Sequence, residues 1–167
     1  MVEAFTEANS ALEVLPLKDC SVWRLNFDRT DDVELTRAVE RALGAPLPGP
    51  FAPSGRDPVI LWQGPHAFIV LCHQASPPSL KDRFKTACGR FERAPGLGVL
   101  SVSGPSVRLH SDADRPVCGP TARVMRLAGI RVTLWWPDDA KDHVQIVVGT
   151  AFMPYLGEWL SKSWLSV

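Results

Sequence analysis

Hydrophobic positions alternate, cluster and repeat along this chain in patterns that assign most of its elements. The clearest stretch is Val59 to Cys72, VILWQGPHAFIVLC. Two apolar runs, Val59–Trp62 and Ala67–Cys72, flank Gln63-Gly64-Pro65-His66. Each run is rich in β-branched or aromatic side chains, which suit a pleated strand. The Gly-Pro pair between them demands a tight turn, so the unit predicts a β-hairpin. In the second run Phe68 and Val70 alternate with Ile69 and Leu71, leaving both faces apolar. Such a strand is covered on both sides and belongs in the interior of a sheet. Neither run is long enough to cross a bilayer.

Upstream, Met1–Asp19 is weakly patterned and predicts an N-terminal arm or a short helix before Pro16. Ser21–Asp28 sets Trp23, Leu25 and Phe27 against Val22, Arg24 and Asn26, the alternation of a half-buried strand. Asp31 starts a helix with Glu34 as its capping-box partner. Leu35, Ala38, Val39, Ala42 and Leu43 form the buried stripe, and Gly44 is the C-terminal cap. Pro46–Pro58 holds five prolines and two glycines and excludes a regular helix or central strand. Its composition also fits a polyproline II recognition motif, but a stiff surface connection explains it more simply.

Downstream, Pro77-Pro78 opens a predicted helix near 78–91, with Leu80, Phe84, Ala87, Cys88 and Phe91 inward. Val99–Ser103 and Val107–His110 form a hairpin-like pair around Gly104-Pro105. Ala122–Leu127, a turn at Ala128-Gly129, Arg131–Trp136 and Val144–Val148 read as further strands. Thr150 caps a last helix through 164, in which Pro154 is tolerated because it sits in the first turn. The fold class expected is α+β: antiparallel sheets with packed helices. The domain organisation expected is an arm, 1–19, and one domain, 20–167, in two lobes of roughly 20–95 and 96–167.

Composition narrows the function classes. The 167 residues suffice for a substantial core. Eighteen Lys plus Arg balance eighteen Asp plus Glu, so no basic field gathers phosphates and nucleic-acid binding is disfavoured. Six Trp against one Tyr suggest that some indoles are covered by a partner. The N-terminus lacks a basic segment followed by an apolar one, and no run approaches a spanning helix. Cys20, Cys72, Cys88 and Cys118 are widely spaced without a C-x-x-C pair, as reduced cysteines of a cytoplasmic protein are.

A search for chemistry finds little. His66, Cys72 and His73 suggest a metal or thiol site, but residues 72 and 73 of a strand point to opposite faces. His110 and His143 have no ligand partner at helical spacing. Asp138, Asp139, Asp142 and His143 lack the alternation and closing Glu of a calcium loop and read as a solvated hairpin tip. Gly96-Leu97-Gly98 precedes a strand instead of a helix and makes no phosphate nest. Ser101, Ser103 and Ser106 lack a nucleophile elbow. The expectation is no catalytic, cofactor-binding or metal residue in this chain.

Ordered segments carry a resemblance. They are Ala42-Leu43-Gly44 with Leu47-Pro48 and Pro50; Leu61-Trp62-Gln63-Gly64-Pro65 running into Phe68-Ile69-Val70-Leu71; Leu127-Ala128-Gly129-Ile130 with Val132 and Leu134; and Ala151-Phe152-Met153-Pro154-Tyr155-Leu156-Gly157-Glu158-Trp159-Leu160. In order and spacing they resemble the gamma subunit of heterotetrameric sarcosine oxidase, a relative of the folate-binding, aminomethyltransferase-like fold. That family shows an L-W-x-G-P-x-x-(W/F) hairpin and a closing S-F-x-x-Y-L-x-x-W-L helix, and the match spans roughly residues 20 to 165. Two departures stand out: 97–120 is short, and Thr150 replaces the usual Ser or Arg. The resemblance implies a non-catalytic subunit with no cofactor of its own. Its partners would be larger alpha-like and beta-like oxidase subunits carrying FAD, FMN, NAD and tetrahydrofolate, which demethylate an N-methyl amine such as sarcosine. Phe152, Trp159 and above all Trp164 on the last helix are the candidate partner interface. Two alternatives remain. One is a free-standing folate or small-ligand module, for which Asp112, Asp114 and Glu158 are the only carboxylates on offer to a pterin; the other is an interaction protein without an enzyme partner.

Overall fold

A computed structural model describes residues 12–27, 33–73, 89–104, 121–137 and 142–163. Several expectations fall outside the described residues: the Asp31 cap, most of the helix at 78–91, the strand at Val107–His110, and Cys88, Cys118, Asp112, Asp114, Asp138, Asp139 and Trp164.

Two antiparallel sheets lie face to face, each with a helix on its outer side. The elements are β1 (Glu13–Pro16), β2 (Ser21–Phe27), α1 (Val33–Leu43), β3 (Val59–Gly64), β4 (Ala67–Cys72) and β5 (Gly89–Arg93). They continue with β6 (Leu97–Ser103), β7 (Thr121–Leu127), β8 (Ile130–Trp136), β9 (His143–Gly149), a single 3-10 turn at Thr150–Phe152, and α2 (Met153–Ser163). One sheet has the order β3-β4-β2-β5 and the other β1-β6-β9-β8-β7. Among the described residues the fold is thus sheet-rich, with two helices, and not an even mixture of the two.

Strand alternation sorts the apolar side chains into three layers. Val22, Leu61, Ile69 and Leu71 of the four-stranded sheet meet Val99, Trp135 and Val147 of the five-stranded one, forming the seam. The alternate residues Leu25, Ile60, Phe68 and Val70 face Val39 and Leu43 of α1. Leu100, Val102, Leu134, Val144 and Ile146 face Leu156 and Leu160 of α2. β4 is buried over five of its six positions, as expected of an interior strand. Its partner β3 is an edge strand among the described residues, bridged on its free side where Ser54 pairs with Ile60.

Turn and cap chemistry agrees with the sequence at two places. Gly44 has φ +71°, and Ala45 N–H donates to the Glu40 carbonyl at 3.2 Å. That is the closing bond of a Schellman cap. The Glu40 carboxylate then accepts from Leu47 N–H at 2.8 Å and steers the chain into the proline-rich segment. Ala128 and Gly129 have φ of 49° and 79°, the pair of positive values that a two-residue hairpin needs.

Four expectations are corrected. Glu13–Pro16, expected as part of an arm or a short helix, is a strand paired with Ser103–Leu100, at the edge of the sheet built otherwise from the second half of the chain. Phe91 does not end a helix stripe, because Gly89–Arg93 is a strand with Phe91 opposite Leu25. Its ring stacks on Trp23 at 5.0 Å, and the polar-apolar-polar order Arg90-Phe91-Glu92 is a period of two. Thr150 is no side-chain cap; its N–H and hydroxyl both donate to the Gly96 carbonyl, at 2.9 and 3.4 Å. The proline-rich segment is more than a connection, since the Phe51 carbonyl accepts from Ala122 N–H at 3.1 Å and covers the open edge of β7.

No atom lies within 4 Å of a Cβ added at Gly44, so Gly44→Ala costs only the backbone strain of its positive φ, about 1 kcal/mol. Leu25, wholly buried, is the contrast: Leu25→Ala leaves a cavity and costs about 3 kcal/mol. Urea unfolding of the two variants is expected to rank them in that order, with unchanged slope.

Candidate functional site

α2 and the turn before it carry two exposed aromatic side chains beside a buried apolar stripe. Leu156 and Leu160 of α2 are wholly buried against the five-stranded sheet. Met153 and Trp159 pack beside them. Gly98 of β6 makes this fit possible, because a Cβ there would run into Met153. On the other side Phe152 is 51% exposed and Tyr155 54%. Of the three interface candidates, Phe152 is therefore open, Trp159 is partly committed to the chain's own core, and Trp164 lies outside the described residues. The tryptophan excess is largely spent internally: Trp23, Trp62, Trp135, Trp136 and Trp159 all pack against core clusters.

The seam carries three polar links. Gln63 Nε2 donates to Thr133 Oγ1 at 2.8 Å, joining the hairpin turn to β8. A ring nitrogen of His73 lies 3.3 Å from Gln145 Oε1, and the His73 ring tilts over Trp135 at 5.9 Å. Ser101 Oγ and His143 Nε2 are 2.9 Å apart across the β6–β9 pair. Cys72 and His73 do point to opposite sides, Cys72 toward α1 and His73 toward the other sheet. Among the described residues no three His, Cys, Asp or Glu gather into a metal-binding group.

Sequence reasoning missed the Ser101–His143 pair, because only the register of two distant strands brings the two together. Its geometry resembles a nucleophile and base, but the described residues around it do not complete it. Acyl transfer needs a group to orient the imidazole and free donors for an oxyanion. Ser101 instead lies mid-strand between β1 and β9, opposite Leu15 and Gln145, with the backbone on both sides engaged in pairing. The pair fastens the sheet.

The two described cysteines are free thiols held in the protonated form. Burial, then the neighbouring Cys72 and Asp57, pushes the Cys20 thiol up to about 12 from an ordinary 9.0. Burial and Asp57 likewise raise Cys72, against a hydrogen bond from Ser21 that lowers it. Such thiols are poor nucleophiles. Glu158, a carboxylate considered for a pterin, stands fully exposed on α2, where an ion pair with Lys162 one turn on lowers its pKa.

A raised thiol pKa fixes a direction for stability. Above pH 9.0 the unfolded chain releases thiol protons that the folded chain keeps, so stability is complete below that pH and falls as pH rises toward about 12. Cys20→Ala is expected to flatten this alkaline fall relative to the parent chain, measured by urea midpoints across that range. Equal falls in both proteins would contradict it.

Comparison with known proteins agrees with this architecture. No family profile matches the chain, and no curated protein matches it. Among solved structures, a chain of the heterotetrameric sarcosine oxidase from Corynebacterium sp. U-96, in complex with pyrrole 2-carboxylate, matches with a TM-score of 0.79 and 19% identity. That match covers 93% of this chain and 86% of the other, so the two are of similar length. The glycine cleavage system aminomethyltransferase T from Bartonella henselae matches with a TM-score of 0.60 and 12% identity, and this chain spans about half of it, 47%. At these identities what is shared is the fold alone: antiparallel sheets with outer helices.

Proposed function

We propose that this chain is a non-catalytic, gamma-like small subunit of a multi-subunit, flavin-dependent sarcosine oxidase or a related N-methyl amine demethylase. It packs on and stabilises the large folate-binding subunit. The observation that carries the reading is the end-to-end likeness in fold to one chain of a heterotetrameric sarcosine oxidase. A whole-length match between chains of similar size fits an equivalent subunit better than a domain excised from a larger enzyme. The described polar pairs of the seam each join strands, as a structural role requires. In this reading FAD, FMN, NAD and tetrahydrofolate belong to the partner subunits, and the complex works in the cytoplasm. Among the described residues no helix is long and apolar enough to cross a membrane.

The surface offered to the partner is the exposed side of α2 and the turn before it, where Phe152 and Tyr155 stand out. Trp164 continues the same sequence pattern and belongs to the proposed interface. Aromatic anchors of this kind carry a disproportionate share of binding energy, typically ~2 kcal/mol or more each. Co-expression with the flavin-bearing oxidase chains is therefore expected to yield a stoichiometric complex. Phe152→Ala and Tyr155→Ala should each weaken assembly about thirtyfold, the equivalent of that energy, while the melting temperature of the isolated chain stays put. A chain that never copurifies with a flavoprotein, or variants that unfold the chain without touching assembly, would sink the reading.

A further inference from the structure

Where the two sheets part, at the end of the seam marked by the β3–β4 turn, they leave a half-open crevice of about 310 Å³. Its polar lining is Arg24 and Asn26 from β2, Gln63 from β3, and Arg131 and Thr133 from β8. Its apolar wall includes Ile69 and Val147 from the seam core. Among the described residues no carboxylate lines it. In a chain whose charges balance overall, two guanidiniums from opposite sheets sharing one concavity are a local positive excess.

The neighbouring registers sharpen that excess. Arg131 stands directly opposite Arg126, so the β7–β8 hairpin adds a third guanidinium to the same face. Arg126 itself donates to the Gly129 carbonyl at 3.4 Å and gains no counter-charge from it. Arg24 stands opposite Glu92, but that carboxylate pairs with Arg90, at 3.7 Å. Arg24 and Arg131 have no ion-pair partner among the described residues.

Beneath the arginines, Thr133 is 4% exposed. Its hydroxyl oxygen accepts from Gln63, and its own hydrogen finds no acceptor among the described residues. The Gln63 bond fixes the hydroxyl in place, leaving its hydrogen as a buried donor on the crevice wall.

We infer that this crevice binds a small organic carboxylate, its carboxyl group held by Arg24 and Arg131 with the Thr133 hydroxyl as a third donor, and its apolar part against Ile69 and Val147. Planar guanidiniums match a carboxylate in charge and geometry. The volume lies at the lower end of small-molecule pockets, which favours a compact ligand over a peptide segment. This site is independent of the subunit reading, because the isolated chain reports it whether or not a partner assembles.

The test is calorimetric titration of the full chain with benzoate and glutarate, alongside neutral benzamide, inorganic phosphate and a hexaglutamate peptide. Saturable one-to-one binding of at least one small carboxylate, with benzamide silent, is the result expected. Arg24→Gln and Arg131→Gln should each weaken it roughly tenfold or more, and Thr133→Val by less. Both arginines are exposed, so their replacement leaves the melting temperature unchanged and separates loss of the site from loss of the fold. The inference is overturned if no carboxylate binds saturably, if binding survives both arginine substitutions, or if benzamide binds as well as benzoate. Tighter binding of phosphate or of the hexaglutamate would also overturn it, reassigning the crevice to a phosphoryl group or to an acidic partner segment.

Discussion

Every other layer rests on the apolar seam between the two sheets. Neither sheet can leave its inner face in water, and neither outer helix can be placed until those faces are closed against each other. Leu61, Leu71 and Val147 are all but solvent-free, and full burial of each such side chain contributes on the order of 2 kcal/mol. The polar links are few and sit among these residues. Gln63 to Thr133 and His73 to Gln145 each join one sheet to the other. Directional bonds of this kind add little net energy but penalise sliding of the sheets, because any shift leaves buried donors unpaired.

Much of this was legible in the sequence, and the reasons differ from place to place. β4 could be read because both of its faces are apolar over a continuous run. Gly44 and Ala128-Gly129 could be read because few residues tolerate a positive φ, so local chemistry betrays local geometry. What failed depended on pairing over distance. Glu13–Pro16 is too short to show a period and becomes a strand only because β6 has a free edge beside it. Phe91 fitted a helical stripe begun near Leu80, and only its position opposite Leu25 makes it a strand residue. That the two sheets face each other was not legible, since alternation reports how many faces are buried and not what buries them.

The candidate site was less legible than the fold. Phe152 was named from its helix and is open; Trp159 was named for the same reason and is half taken by the core. The difference is a rotation about the helix axis, which the packing of Met153 against Gly98 decides. Arg24 and Arg131 lie 107 positions apart in sequence and drew no notice there. Each looked like the solvated polar position of an amphipathic strand. Only the closing of the two sheets sets them over one crevice.

The placement of β1 has a consequence for how the chain reaches this state. A strand from the start of the sequence pairs with β6, which in turn pairs with β9 near the end. On a ribosome β1 emerges well before β6, the strand it pairs with, and its sheet is incomplete until β9 has been made. The strands of the four-stranded sheet, β2 to β5, are all made earlier, but its inner face stays uncovered until the other sheet arrives. Folding therefore has a built-in sequence of events: an early half that can pair its strands but not cover its inner face, and a late half that must recover a strand set aside before it. Long loops must be closed to do so, which places this chain among slow-folding topologies and leaves its first strand exposed to wrong partners during synthesis.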